Sequence, residues 1–204
     1  MPHIIGDFSY TWPFYLAGAL AYLIGSIPFG LVIAKLFHLP DLRTIGSGNI
    51  GATNVLRTGN KGAALATLLL DGAKGAVPTL IAAGYGPDLT VIVAGLAVIG
   101  HLAPLWLLFR GGKGVATTLG VLLALDWRIG VIVCALWFIL AFAFRYSSLA
   151  SLIAIGSAPG FAWWFARPQL AELISFLALL VVLKHLGNIR RLIAGKETKI
   201  GAKT

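Results

Sequence analysis

Apolar residues fall in seven blocks along this chain, at roughly 14–36, 63–85, 89–109, 115–127, 129–144, 149–165 and 170–184. A helix that crosses the hydrocarbon of a bilayer needs about 20 apolar residues, within a range of about 17 to 25. The first three blocks satisfy this. The fourth, fifth and seventh are short and need flanking polar residues to complete a crossing, and 115–127 is the shortest. The pattern therefore predicts an all-α integral membrane protein of about seven short transmembrane helices. Six spans with one re-entrant segment is the alternative. No Ser/Gly/Pro linker divides the chain, so 1–204 reads as a single transmembrane domain.

Composition strengthens this picture. The chain is 58% hydrophobic and only 11% charged, with a mean hydropathy of +0.90, where a soluble domain carries about 25% charged residues. So few charges cannot clothe a water-facing surface. The net charge of +9 would suggest nucleic acid in a soluble chain. Here the apolar content excludes that partner and points to anionic lipid headgroups, cytoplasmic loop charge and anionic substrates. The single cysteine, Cys134, lies in an apolar block and reads as a packing residue. Residues 1–13 carry Asp7 and neither Lys nor Arg, so the positive leader of a signal peptide is not expected there.

The charges are not evenly spread. With seven crossings, one side takes the loops at 38–61, 109–114 and 145–148 and the tail from 184. Counting Lys35 and the membrane-dipping Lys74, that side holds all 16 Lys and Arg except Arg128 and Arg167. The opposite side holds Asp7, Asp88, Asp126 and Glu172. The bias predicts an N-terminus outside and a C-terminus in the cytoplasm. The outer connectors are minimal, whereas the inner loops are rich in Gly, Asn, Ser, Lys and Arg. A polar, glycine-rich set of loops on one membrane face is where a site would form.

Three inner segments carry candidate chemistry. The first, RTIGSGNIGATNVLR at 43–57, offers Gly46, Gly48 and Gly51, whose backbone can approach an anion closely. Ser47, Asn49, Thr53 and Asn54 add polar groups, and Arg57 adds a two-pronged grip on phosphate. A merely flexible loop is the competing reading. The second, Arg110 to Gly114, places Gly111, Gly112, Lys113 and Gly114 ahead of an apolar helix. A helix N-terminus with a lysine makes an anion cradle, and a tight interhelical turn is the competing reading. In the third, KHLGNIRR at 184–191, His185 and Asn188 share a helix face. Arg190, Arg191, Lys196 and Lys199 read as a basic tail against anionic lipid. Within the apolar blocks, Asp71 and Lys74 are three apart and can pair; Ser26 and Pro28 can bend the first block. No HExxH, CxxC, G-x-S-x-G or inner-face carboxylate cluster is present, so no metal site and no Ser-His-Asp triad are expected.

Taken together the segments resemble the PlsY family, the acyl-phosphate:glycerol-3-phosphate acyltransferases of bacterial membranes. The matching stretches are GSIPFG (25–30), RTIGSGNIGATNVLRTGNKGA (43–63), LDGAKG (70–75), GHLAPLWLLFRGGKGVATTLG (100–120) and KHLGNIRRLIAGKETKIG (184–201). The resemblance implies seven helices and a cytoplasmic active site in the bacterial inner membrane. It implies acyl transfer from acyl phosphate to position 1 of glycerol 3-phosphate, giving lysophosphatidic acid and inorganic phosphate, with no cofactor. It also implies roles for Ser47 and Arg57 in the first motif, for Gly111 to Gly114 in glycerol-phosphate binding, and for His185 and Asn188 in the third. Glu197 corresponds to a residue of more structural importance. A site serine after the fifth span falls among Ser147, Ser148 and Ser151, with Ser148 preferred. A small anion transporter would use the same basic loops but would need polar residues through both halves of its spans.

Overall fold

The computed structural model describes residues 7–202. Residues 1–6, which include His3 and half of the stretch read as lacking a leader, and residues 203–204 lie outside the described residues. Ten α-helices and one 3-10 turn form, with no strand among the described residues. Four helices are long and apolar enough to cross a membrane singly: α4 (Lys61–Ala83), α5 (Pro87–Leu102, continued by the turn Leu105–Leu107), α7 (Trp127–Phe144) and α8 (Ser147–Phe165). Two bent pairs qualify as broken spans. They are α1 (Phe8–Gly25) with α2 (Phe29–Leu36), bent by 40°, and α9 (Pro168–Lys184) with α10 (Leu186–Ile193), bent by 59°. The short α3 (Ala52–Leu56) and the apolar α6 (Val115–Leu125) complete the set. Every block expected from hydropathy is helical, with ends displaced by a few residues.

Local chemistry explains the boundaries. The 14–36 block breaks at Ser26–Pro28, where Pro28 has no N–H to donate and disfavours a helical residue before it, although Pro78 and Pro159 lie inside the unbroken α4 and α8. Asp7 caps α1, Asn60 caps α4 and Asp126 caps α7, each accepting a backbone N–H within 3.1 Å. Pro87 and Pro168 open α5 and α9, where a missing N–H is harmless.

Large apolar side chains are exposed along α4 and α7, Leu80 at 58% and Phe142 at 81% among them, as a lipid-facing surface requires. The interior holds Leu122, Ile129, Ile155 and Ile174 in one cluster and Val98, Leu102, Val121 and Leu177 in a second. α4 and α6 approach so closely that a Cβ on Gly120 would strike the backbone of Gly72. Small residues of this kind let membrane helices pack backbone to backbone. Gln169 Nε2 donates to Asp88 Oδ1 at 2.6 Å, and Arg128 Nη2 to Phe165 O at 3.4 Å. These contacts gather the three minimal connectors at one end of the bundle. α6 therefore runs from Gly114 toward that end, although its 11 residues rise only about 16 Å.

Candidate active site

The end opposite those connectors opens into a cavity of about 1110 Å³. Its polar portion is lined by Ser47, Asn49, Gly51, Thr53, Asn54, Arg57, Lys113, Gly114, Ser147, Ser148, His185, Asn188 and Glu197. The three segments singled out in the sequence thus meet, although they lie far apart along the chain.

The first segment is shaped by Asn54. Its Nδ2 donates to Leu42 O at 2.8 Å and Ile45 O at 3.2 Å, while its Oδ1 accepts the Ser47 N–H at 3.2 Å. The carboxamide expected to bind substrate is therefore engaged in folding the loop. Gly46 has φ +52°, and a Cβ there would lie 2.5 Å from Asn54 Oδ1 and 2.7 Å from Arg57 Nη1. Only glycine accepts both that conformation and that proximity. Gly46 and Gly48 do not line the cavity; they set the turn that presents Ser47 and Asn49.

The second segment departs from a four-residue cradle. Gly111 and Gly112 are packed against His101, and the Gly112 N–H donates to His101 O at 3.1 Å. They are glycine because a side chain would strike His101, and they do not line the cavity. Lys113 and Gly114 do. Gly114, at φ +81°, precedes α6 without any side-chain cap, and Val115 and Ala116 also line the wall. The first N–H groups of α6 thus lack a capping side chain beside Lys113. No hydrogen bond or ion pair engages the Lys113 ammonium among the described residues. Burial pushes its pKa down to about 8, with Arg191 and Arg57 adding repulsion against a partial offset from Glu197. Arg57 is half-buried, and desolvation lowers it from the ordinary guanidinium value without discharging it.

The third segment is built around Glu197. Its carboxylate accepts from Ser148 Oγ at 2.7 Å, Asn188 Nδ2 at 2.6 Å and Arg191 Nε at 2.7 Å. Desolvation raises its pKa, but those three donors outweigh it and hold the carboxyl below its usual range. His185, 1% exposed, has Nδ1 2.8 Å from Val181 O. A carbonyl only accepts, so Nδ1 carries the proton and Nε2 keeps its lone pair. Thr53 Oγ1 and Ser147 Oγ, 3.1 Å apart, tie the first loop to α8.

The free carboxylate count near the site is low. Asp41 is held at about 2 by Arg43, Glu197 is paired with Arg191, and Asp71 lies 2.7 Å from Lys74. The Asp71–Lys74 pairing suggested by their spacing is present. Lys74 Nζ also donates to Ile27 O at 2.7 Å, so the pair locks α4 to the break between α1 and α2. Asp71 reaches the cavity; Lys74 does not. Among the described residues no three His, Cys, Asp or Glu side chains converge to hold a metal ion.

Below the polar portion the cavity becomes apolar, between Leu65, Leu68 and Leu69 of α4, Leu119 and Leu123 of α6, and Val131, Trp137 and Phe138 of α7. No residue of this arm was singled out in the sequence, because no local signal tells a lipid-facing leucine from a cavity-facing one. Nor were Lys61 and Thr198 on the wall. Ser147, Ser148 and Ser151 all line the cavity; Ser148 bonds Glu197, and Ser151 accepts from Trp137 Nε1 at 2.9 Å.

Residues 15–195 match the family model for glycerol-3-phosphate acyltransferase. The glycerol-3-phosphate acyltransferase of Mesorhizobium japonicum is 54% identical over 194 residues, covering 95% of this chain and 99% of that protein. That of Rhodospirillum rubrum is 49% identical over 211 residues, covering 98% of both. The crystal structure of PlsY (YgiH), an integral membrane glycerol 3-phosphate acyltransferase, in its glycerol 3-phosphate form superposes with a TM-score of 0.88 at 37% identity, over 93% of this chain and 96% of that one. Its lysophosphatidic acid form gives 0.85 at 36% identity over the same shares. With the family match spanning nearly the whole chain and half-identical relatives aligned end to end, the chain belongs to the PlsY family of glycerol-3-phosphate acyltransferases.

Proposed function

We propose that this protein transfers a fatty acyl group from acyl phosphate to the 1-position of glycerol 3-phosphate, releasing lysophosphatidic acid and inorganic phosphate. One observation carries the reading. A single cavity joins a cationic head, made by Arg57, Lys113 and the uncapped start of α6, to an apolar arm walled by side chains of α4, α6 and α7.

Acyl phosphate is a mixed anhydride, so its carbonyl is activated before it binds. The protein must hold two phosphates together against their repulsion and stabilise charge on the carbonyl oxygen and the leaving phosphate. Cations, N–H groups and hydroxyls suit this work, and a free carboxylate would oppose it. In the proposed step the 1-hydroxyl oxygen attacks the carbonyl carbon, the C–O bond to phosphate breaks, and phosphate departs with the bonding pair. Ser47 and Asn49 face the acyl-phosphate head, and Arg57 and Lys113 neutralise glycerol phosphate. Asn188 and His185 orient the hydroxyl. Its proton passes to His185 Nε2 or to a substrate phosphate oxygen. The Ser47, His185 and Asn188 assignments rest on their convergence at one cavity.

The same reading places a single domain over 1–204 in the bacterial cytoplasmic membrane. It has seven crossings, the N-terminus outside, and the site and C-terminus on the cytoplasmic face. The lysine and arginine asymmetry and the clustering of the three minimal connectors at the far end support it. An anion transporter would need a polar path onward from the site. The arm instead is walled by Leu123, Val131 and Phe138.

Purified protein supplied with palmitoyl phosphate and glycerol 3-phosphate should release phosphate only when both are present, and palmitoyl-CoA should not replace the first. Transfer from palmitoyl-CoA with palmitoyl phosphate inert would overturn the proposal.

A further inference from the structure

The tail beyond α10 folds back over the site. Gly195, at φ +66°, ends α10, and the Lys196 N–H bonds Arg191 O at 2.8 Å, reversing the chain. Residues 196–200 then cross toward the turn between α7 and α8. Arg145, the residue that closes α7 at φ +60°, holds them there from both ends of its own structure. Its carbonyl accepts the Ile200 N–H at 2.6 Å, and its Nη2 donates to Ile200 O at 3.0 Å. Lys199 Nζ sits 5.7 Å over the ring of Tyr146. Gly201, at φ +78°, turns the chain beneath the guanidinium, where a Cβ would lie 3.6 Å from Nη2.

The consequence lies within the strap. Glu197 and Thr198 line the cavity, and Glu197 is the common acceptor for Ser148 and Asn188. With its Nδ2 committed to Glu197, Asn188 is oriented with Oδ1 left to accept from a ligand. Arg145 is exposed and lines no part of the cavity.

We infer that Arg145 is a positioning residue for acyl transfer: by clamping Ile200 it fixes the strap at the register that lets Glu197 orient Ser148 and Asn188. This rests on the function proposed above. It predicts a dependence of turnover on a side chain that touches neither substrate.

The test uses the full-length protein in detergent with palmitoyl phosphate and glycerol 3-phosphate, wild type beside Arg145→Ala, Arg145→Lys and Gly201→Val. Arg145→Ala removes one of the two bonds to Ile200, so kcat should fall roughly three- to tenfold. The KM for palmitoyl phosphate should stay within about twofold, because the groups at that head are untouched. Arg145→Lys, which keeps a donor for Ile200 O, should recover most of the rate. Gly201→Val should reproduce the loss from the other side of the clamp. Deuterium exchange in the peptide spanning 196–202 should be faster in Arg145→Ala and Gly201→Val, with the melting temperature unchanged. Faster exchange with wild-type kcat would show that the strap is not needed for turnover. Unchanged exchange, or a loss that Arg145→Lys does not recover, would equally overturn the inference. An inactive wild type would instead count against the proposed reaction.

Discussion

Lys113 is the group whose removal tests the site most directly. Its ammonium is largely withdrawn from water and has no protein hydrogen-bond partner among the described residues, so its pKa falls from 10.5 to about 8. A phosphate arriving beside it supplies the missing acceptor. A charge-assisted bond of that kind is worth about 1.5–3 kcal/mol, or roughly a 10- to 150-fold change in kcat/KM for glycerol 3-phosphate. Lys113→Met keeps the stem and deletes the charge, and should lose that factor. The pH dependence supplies a second reading. With a pKa of about 8 the free enzyme is about nine-tenths protonated at pH 7 and one-tenth at pH 9, while the substrate phosphate stays dianionic. The wild-type kcat/KM should therefore fall about tenfold between those values. Bound phosphate favours the charged lysine, so kcat should hold to higher pH than kcat/KM. Stability should move the other way. Between about 8 and 10.5 the unfolded chain holds a proton on this lysine that the folded chain has released, so melting temperature should rise with pH across that window. Phosphate release followed from pH 6.5 to 9.5 checks the first claim. If Lys113→Met keeps the same alkaline fall, the ionisation belongs to another group and the assignment is wrong.

His185→Gln removes the lone pair at Nε2 while keeping a polar side chain near Val181 O; near wild-type rates across pH 6–8 would leave substrate phosphate as the proton acceptor, whereas a loss of about 100-fold would support the imidazole. Asn54→Ala strands Leu42 O, Ile45 O and the Ser47 N–H, and should lower stability by about 1–3 kcal/mol in denaturant titration, with a larger loss of turnover because Ser47 is displaced. Gly120→Val drives a side chain into the Gly72 backbone where α4 crosses α6, and should lower the melting temperature by roughly 3–10 °C; an unchanged value would refute the backbone-to-backbone crossing.

Much of the fold was legible in the order of residues. Each apolar block became helical, the first in two pieces, because a chain in hydrocarbon has to satisfy its backbone internally. Pro28 marked the break in the first block through chemistry confined to a few neighbours. The asymmetry of lysine and arginine singled out the polar face in the same one-dimensional way. The residues at 46–57, 111–114 and 185–188 were recognisable as a set because their motifs are specific, although nothing local stated that they meet.

What the sequence could not supply was the division of labour inside each motif. Gly111, Gly112 and Lys113 are adjacent, yet two of them pack on His101 and one faces the cavity; the difference is the path of a neighbouring helix. Asn49 and Asn54 are the same residue type in one motif and both reach the cavity, yet only Asn54 is also bonded to the carbonyls of Leu42 and Ile45. The apolar arm likewise uses leucines that by hydropathy belong to any lipid-facing surface. Hydropathy and charge are properties of single residues and survive in the sequence. Which atom faces which is a property of pairs brought together across a long stretch of chain, and only the packed helices determine it.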